Sequence, residues 1–169
     1  MRMVVRRLQE KDLSIRVEWM NNPKVYGSMH YDVPILLENT LRWFKKNQEN
    51  EYRVDLVFEE DGVVMAMGGL TGIDREVNKA ELYIFVNPNL QRVGIGTKAT
   101  KMLCKYGFEQ VGLNKIFLET NEDNCTARRV YEKCGFLLEG THRAEYKNNE
   151  GNLLSRIYMG LLKGELNED

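Results

Sequence analysis

A seven-residue stretch, Gln91-Arg92-Val93-Gly94-Ile95-Gly96-Thr97, carries the sharpest chemical signal in the chain. It stands where a helical pattern begins, with Ala99, Met102, Leu103 and Tyr106 at helical spacing behind it. The first N–H groups of a helix have no intrahelical partners, and the helix dipole adds positive potential there. Such a turn suits a phosphate or pyrophosphate. Gly94 and Gly96 let the backbone approach a ligand closely, Thr97 adds a hydroxyl and Arg92 a cation. The same residues would also suit a helix start that is only tightly packed.

Two carboxylates could do proton chemistry nearby. Glu81 opens an apolar strand on the face it shares with Tyr83 and Phe85, where partial desolvation would raise its pKa. Its plain alternative is a salt bridge with Lys79 or an arginine. Glu119, on a following strand, is the reserve. A dinucleotide-binding fingerprint matches this stretch poorly. Gly94-x-Gly96-x-x-Ala99 with Glu119 fits it loosely, but a long loop separates Val86 from the glycines.

These residues need a scaffold, and the periodicity supplies one. Met3 to Arg7 reads as a strand, and Asp12 as the cap of a helix to about Met20 with Leu13, Val17 and Met20 on its buried face. Asn21-Asn22-Pro23 stops that helix, and a second runs from about Leu36 to Asn47, burying Leu37, Leu41 and Phe44. Val54, Leu56 and Phe58 then alternate, and Asp61-Gly62 turns the chain into a strand from Val63 to Gly72. Gly68-Gly69 within it suggests a bulge or a close backbone approach. Lys79 to Val86 is apolar on both faces, as a central strand covered by helices should be. A helix from Ile95 to about Gln110 and a strand from Lys115 to Thr120 complete a right-handed parallel crossover. Asn124 caps a short helix ending near Cys134-Gly135, and strands 136–146 and 153–162 close the chain around Asn148-Asn149-Glu150-Gly151. The expectation is an α+β fold in three layers: a mixed, mostly antiparallel sheet of six to seven strands, with helices on both faces.

Composition narrows the function classes. The 169 residues suit one domain spanning 1–169. With 24 Lys and Arg against 25 Asp and Glu, the net charge is −1, and no basic footprint for nucleic acid or an anionic membrane surface is present. Cys104, Cys125 and Cys134 form no Cys-x-x-Cys pair, and two distant histidines give no metal-ligand spacing. With no signal-peptide pattern and no apolar run near the length of a membrane span, the expected location is cytoplasmic.

Gln91-x-x-Gly94-x-Gly96, followed about thirty residues later by Asn124-x-x-Ala127-x-x-x-Tyr131-x-x-x-Gly135-Phe136, resembles the signature of the GNAT acetyltransferase superfamily. The order of elements agrees along essentially the whole chain. That resemblance implies acetyl-CoA as co-substrate, with its pyrophosphate on the 91–97 turn and its pantetheine arm by Asn124. It implies Tyr131 as the acid facing the thioester sulfur, and backbone N–H groups near Phe85 and Val86 as oxyanion donors. The reaction would be direct attack of a primary amine in a ternary complex. A free alkyl amine has a pKa of about 10.4, so a base or a water path must take its proton. Glu81 resembles the strand glutamate that some members use.

The segments 18–23 and 140–162, with Trp43-Phe44, resemble a branch acetylating ribosomal-protein N-termini, polyamines or nucleotide-linked amino sugars. Trp19, Tyr26, His30 and Tyr31 are then expected to wall the acceptor site, with Arg143, Tyr146, Asp32 and Glu38 near them. The resemblance leaves room for a homodimer. A non-catalytic acyl-CoA-binding sensor is the alternative, but it has less reason to retain Tyr131 and Glu81.

Overall fold

The computed structural model describes residues 2–90 and 92–169; the expectation for Gln91 lies outside the described residues. β1 (Met3–Arg7), β2 (Val54–Glu60), β3 (Val63–Asp74), β4 (Lys79–Val86), β5 (Lys115–Asn121), β6 (Leu137–Lys147) and β7 (Leu153–Leu162) form one sheet. Its order is β1-β2-β3-β4-β5-β7-β6, and only β4 and β5 run parallel. The helices are α1 (Leu13–Met20), α2 (Pro23–Tyr26), α3 (Leu37–Lys46), α4 (Ile95–Tyr106) and α5 (Cys125–Cys134). None is long and apolar enough, among the described residues, to cross a membrane.

Alternation along the strands builds two cores on opposite faces. Val54, Leu56, Phe58 and Leu82 face the core that α4 and α5 cover with Ala99, Leu103 and Cys134. Val57, Met67 and Phe85 face the other core, with Leu13, Trp19 and Val25. β4 feeds both cores, which is why it is apolar on both sides.

Gly68 and Gly69 sit in regular register opposite Leu56 and Asp55, so the bulge is not there; it falls at Phe58/Glu59. Close approach is the reason for both glycines. A Cβ on Gly68 would stand 2.6 Å from the Tyr83 carbonyl, and one on Gly69 would press on the Val54 carbonyl and the Tyr83 ring.

Three local expectations are corrected. Asp12 stands at the N-cap position of α1, but its side chain makes no capping hydrogen bond there. Its carboxylate accepts the Gln9 N–H at 2.8 Å and takes both Arg6 guanidinium nitrogens at 2.8 Å, closing a 3-10 turn ahead of the helix. The buried residues of α1 are Leu13, Arg16 and Trp19 rather than Leu13, Val17 and Met20. In α3, Leu37 is exposed and Thr40 is the buried residue, while Leu41 and Phe44 pack half-buried against the core on the α1 side.

Burial alone would raise the Asp12 carboxyl, but Arg6 and the Gln9 N–H hold it below the ordinary range. Asp12→Ala should cost about 2–3 kcal/mol, because Arg6 keeps only Glu59 at 3.2 Å once its buried partner is gone. Urea denaturation at neutral pH reads this directly. The parent's advantage should shrink as pH falls through the depressed Asp12 pKa.

Candidate functional site

β4 and β5 pair only at Lys79–Lys115, Ala80–Ile116 and Glu81–Phe117, and beyond that point they part. Their divergence leaves the β5 side of residues 82–86 without a strand partner and opens a cleft of about 680 Å³. The start of α4 enters at one end through Gly96, α5 lines one wall with Asn124, Ala127 and Tyr131, and the 24–31 segment covers the other end.

The glycine turn opens α4. Gly94 is left-handed at φ 90°, the position where only glycine is unstrained, and it caps α4 with its carbonyl accepting the Lys98 N–H at 3.0 Å. The N–H groups of the first turn lack partners within the helix. Gly96 lines the cleft, Val93 is almost wholly exposed, Thr97 is half-buried, and Ile95 points into the core. Arg92 is engaged elsewhere: its guanidinium forks onto the buried Glu60 carboxylate at 3.1 and 3.0 Å. That pair ties the loop to the end of β2.

Asn124 does what an N-cap does, its side-chain oxygen accepting the Ala127 N–H at 3.2 Å. It also lines the cleft, as do Phe85 and Val86. Tyr131 packs edge-on against Phe136 at 5.8 Å, and no hydrogen bond to its hydroxyl occurs among the described residues. Burial, with the Cys134 and Cys104 thiols close by, pushes its pKa up to about 12. It is therefore a protonated donor at neutral pH.

At the covered end, Glu81 and Glu119 face the same space. Desolvation, then the Glu119 charge, raises the Glu81 carboxyl, against a lowering pull from Arg156. Glu81 has no ion-pair partner among the described residues. Glu119 is held by Arg156 and His142, each at 3.3 Å, which leaves Glu81 the freer proton acceptor.

His30 and Tyr31 reach the cleft. His30 Nε2 lies 2.7 Å from Asn121 Oδ1 and its ring meets Tyr146 edge-on at 5.0 Å, so the 24–31 segment is fastened across the mouth to β5 and β6. Tyr31 donates to the Met20 carbonyl at 2.9 Å. Tyr26 and Arg143 do not line the cleft. Nor does Trp19, which is a core side chain 3% exposed and set edge-on to Phe85, because the buried stripe of α1 is turned toward it. Thr120 of β5, Arg156 of β7 and Thr100 of α4 belong to the cleft wall and were missed in the sequence, where nothing marks such residues as facing a ligand.

The family model described as the acetyltransferase (GNAT) domain matches residues 2–137. The spermidine N(1)-acetyltransferase of Escherichia coli is 30% identical over 103 residues, 61% of this chain and 55% of that protein. The putative ribosomal N-acetyltransferase YdaF of Bacillus subtilis is 34% identical over 106 residues, 62% of this chain and 57% of that protein. The chain thus spans little more than half the length of these curated relatives. A crystal structure of spermidine N-acetyltransferase from Vibrio cholerae in complex with CoA and spermine superposes with TM-score 0.89 at 23% identity, covering 96% of each chain, and shows the fold to be shared. With its domain model matched over most of its length, this chain belongs to the acetyltransferase (GNAT) domain family.

Proposed function

We propose that residues 1–169 form one acetyltransferase domain that transfers an acetyl group from acetyl-CoA to a primary amine. The observation that carries the reading is the parting of β4 from β5. It puts the α4 turn, Tyr131 and Glu81 in a single cleft. The residues fit the co-substrate: partnerless N–H groups at the α4 start for pyrophosphate, Asn124 and Ala127 along the pantetheine path, and Tyr131 at the thioester end.

Each step then has a residue. Glu81, directly or through water, takes the proton of the acceptor ammonium; its raised pKa brings it closer to the task. Backbone N–H groups on the open side of β4, near Phe85 and Val86, offer hydrogen bonds to developing negative charge. Tyr131 gives its proton to the departing thiolate. The carboxylates of Glu81 and Glu119 suit a cationic acceptor, and the E. coli relative is named for spermidine. A polyamine heads the acceptor class, followed by an amino sugar or a protein N-terminus. His30 and Tyr31 would wall the acceptor. An odd number of cysteines without a Cys-x-x-Cys pair suits a reduced, cytoplasmic location.

Thiol release from acetyl-CoA in the presence of spermidine, an amino sugar or a short peptide tests this reading. Acceptor-dependent release is expected with at least one of them. Tight acetyl-CoA binding with no release for any amine would return the chain to an acyl-CoA sensor.

Two variants refine the assignment. A base must be unprotonated, so kcat/KM should rise with pH through the raised Glu81 pKa. Glu81→Gln should abolish that acidic limb; an unaltered limb moves the base to water or Glu119. Tyr31→Ala should raise the amine KM and spare that of acetyl-CoA, as loss of uniform binding does. Equal damage to both substrates would place the acceptor elsewhere.

A further inference from the structure

A second cavity, of about 390 Å³, lies between α1, the 32–36 loop and α3, and none of its lining residues lines the cleft. Its wall includes Arg16, a cation only 6% exposed. Three rings surround that guanidinium: Trp43 at 4.9 Å, Phe85 at 5.3 Å and Tyr83 at 5.4 Å. It makes one hydrogen bond among the described residues, to the Tyr83 hydroxyl at 3.3 Å, and no carboxylate there lies within ion-pair distance.

The nearby charges do not supply what is missing. Arg53, also lining the cavity and also 4.9 Å from the Trp43 ring, is matched by Asp55 through two 2.8 Å hydrogen bonds. The Tyr83 hydroxyl donates to the same Asp55 carboxylate. The half-buried Asp55 carboxylate therefore answers Arg53 directly and Arg16 only through the Tyr83 hydroxyl. Aromatic faces offset part of the cost of burying a cation, but they offer no acceptor oxygen to a group with five N–H donors.

The rest of the wall limits what could fill the gap. Met20, Pro34, Ile35 and Leu36 make it largely apolar, and Leu36 is 46% exposed. Asp32 adds one negative charge, with no ion-pair partner among the described residues. That charge opposes a dianion such as phosphate, whereas a single carboxylate on an apolar body meets both the guanidinium and the walls.

We infer that this cavity binds a small organic monocarboxylate, its oxygens on the planar Arg16 fork and its apolar body against Met20, Ile35 and Leu36. A carboxylate matches the fork bidentately, which a lone hydroxyl cannot. The cavity shares no lining residue with the cleft, although Tyr83 and Phe85 stand between Arg16 and it, and the proposal does not depend on the acetyl-transfer reading.

Calorimetric titration of the full chain with 3-methylbutanoate, backed by Trp43 fluorescence, tests it. Saturable one-to-one binding with Kd roughly millimolar is expected for a ligand of that size. Arg16→Gln should weaken it by about tenfold or more, and Arg16→Lys, which keeps the charge but loses the fork, by less. The equally shaped cation 3-methylbutylamine should not bind, and inorganic phosphate should not compete. Absence of saturation at tens of millimolar would overturn the proposal and leave Arg16 a purely structural cation. Equal affinity in Arg16→Gln, or binding of the amine in place of the acid, would overturn it as well. Should Arg16→Gln fail to fold, Arg16→Lys decides: unchanged affinity there contradicts the fork.

Discussion

Tyr131→Phe should lower kcat by about 100-fold or more while leaving acetyl-CoA affinity nearly unchanged, since only the proton donor to the departing thiolate is lost. The variant keeps the ring and its edge-on contact with Phe136, so thermal unfolding should move little. The pH dependence is a second readout. With its pKa pushed up to about 12, the parent hydroxyl stays protonated at neutral and moderately alkaline pH. The parent should therefore show no alkaline fall in kcat from this group until well above neutral pH. Steady-state rates with calorimetric acetyl-CoA affinities check both points. A variant that turns over like the parent makes Tyr131 a packing residue and water the acid.

Gly96→Asp should weaken acetyl-CoA binding by about 100-fold or more, through charge rather than volume. A Cβ at Gly96 would meet the Val86 and Val130 methyl groups at 3.6 and 3.9 Å, which is ordinary contact, so Gly96→Ala should bind almost as the parent does. An Asp there would offer its carboxylate to the first-turn N–H groups and repel a pyrophosphate. The same charge favours the helix start, so stability should hold or rise. Calorimetry on both variants separates the two causes. Equal loss in Ala and Asp would mean that space decides, and normal binding in Asp would move the pyrophosphate away from α4.

Local patterns account for most of what the sequence made legible. Alternation in β2 and β4 was readable because each face meets its own core. The Gly94 turn and the Asn124 cap were readable because left-handed backbone and capping oxygens demand particular residue types. α1 was read one position off because arginine does not look like core; Arg16 is buried only because three aromatic rings surround it. α2, four residues long, is too short to show a period. The helix expected to run to Gln110 widens into a π turn at Gly107–Val111, a change of hydrogen bonding that side-chain spacing does not report.

The acceptor end was the least legible part. Glu119, Arg156 and His142 meet because β7 inserts between β5 and β6, pairing Asn121 with Arg156 and Arg156 with His142. Strand order at that range leaves no local trace. His30 and Asn121 likewise meet only because the 24–31 segment crosses the mouth.

The central claim is that the space between β4 and β5 seats acetyl-CoA with its thioester at Tyr131. A crystal structure of the chain grown with CoA measures this directly. The account predicts the pyrophosphate on the N–H groups at the start of α4 and the CoA sulfur within hydrogen-bond reach of Tyr131 Oη, about 3–3.5 Å. CoA bound outside the cleft, or within it with its sulfur facing away from Tyr131, would contradict the account.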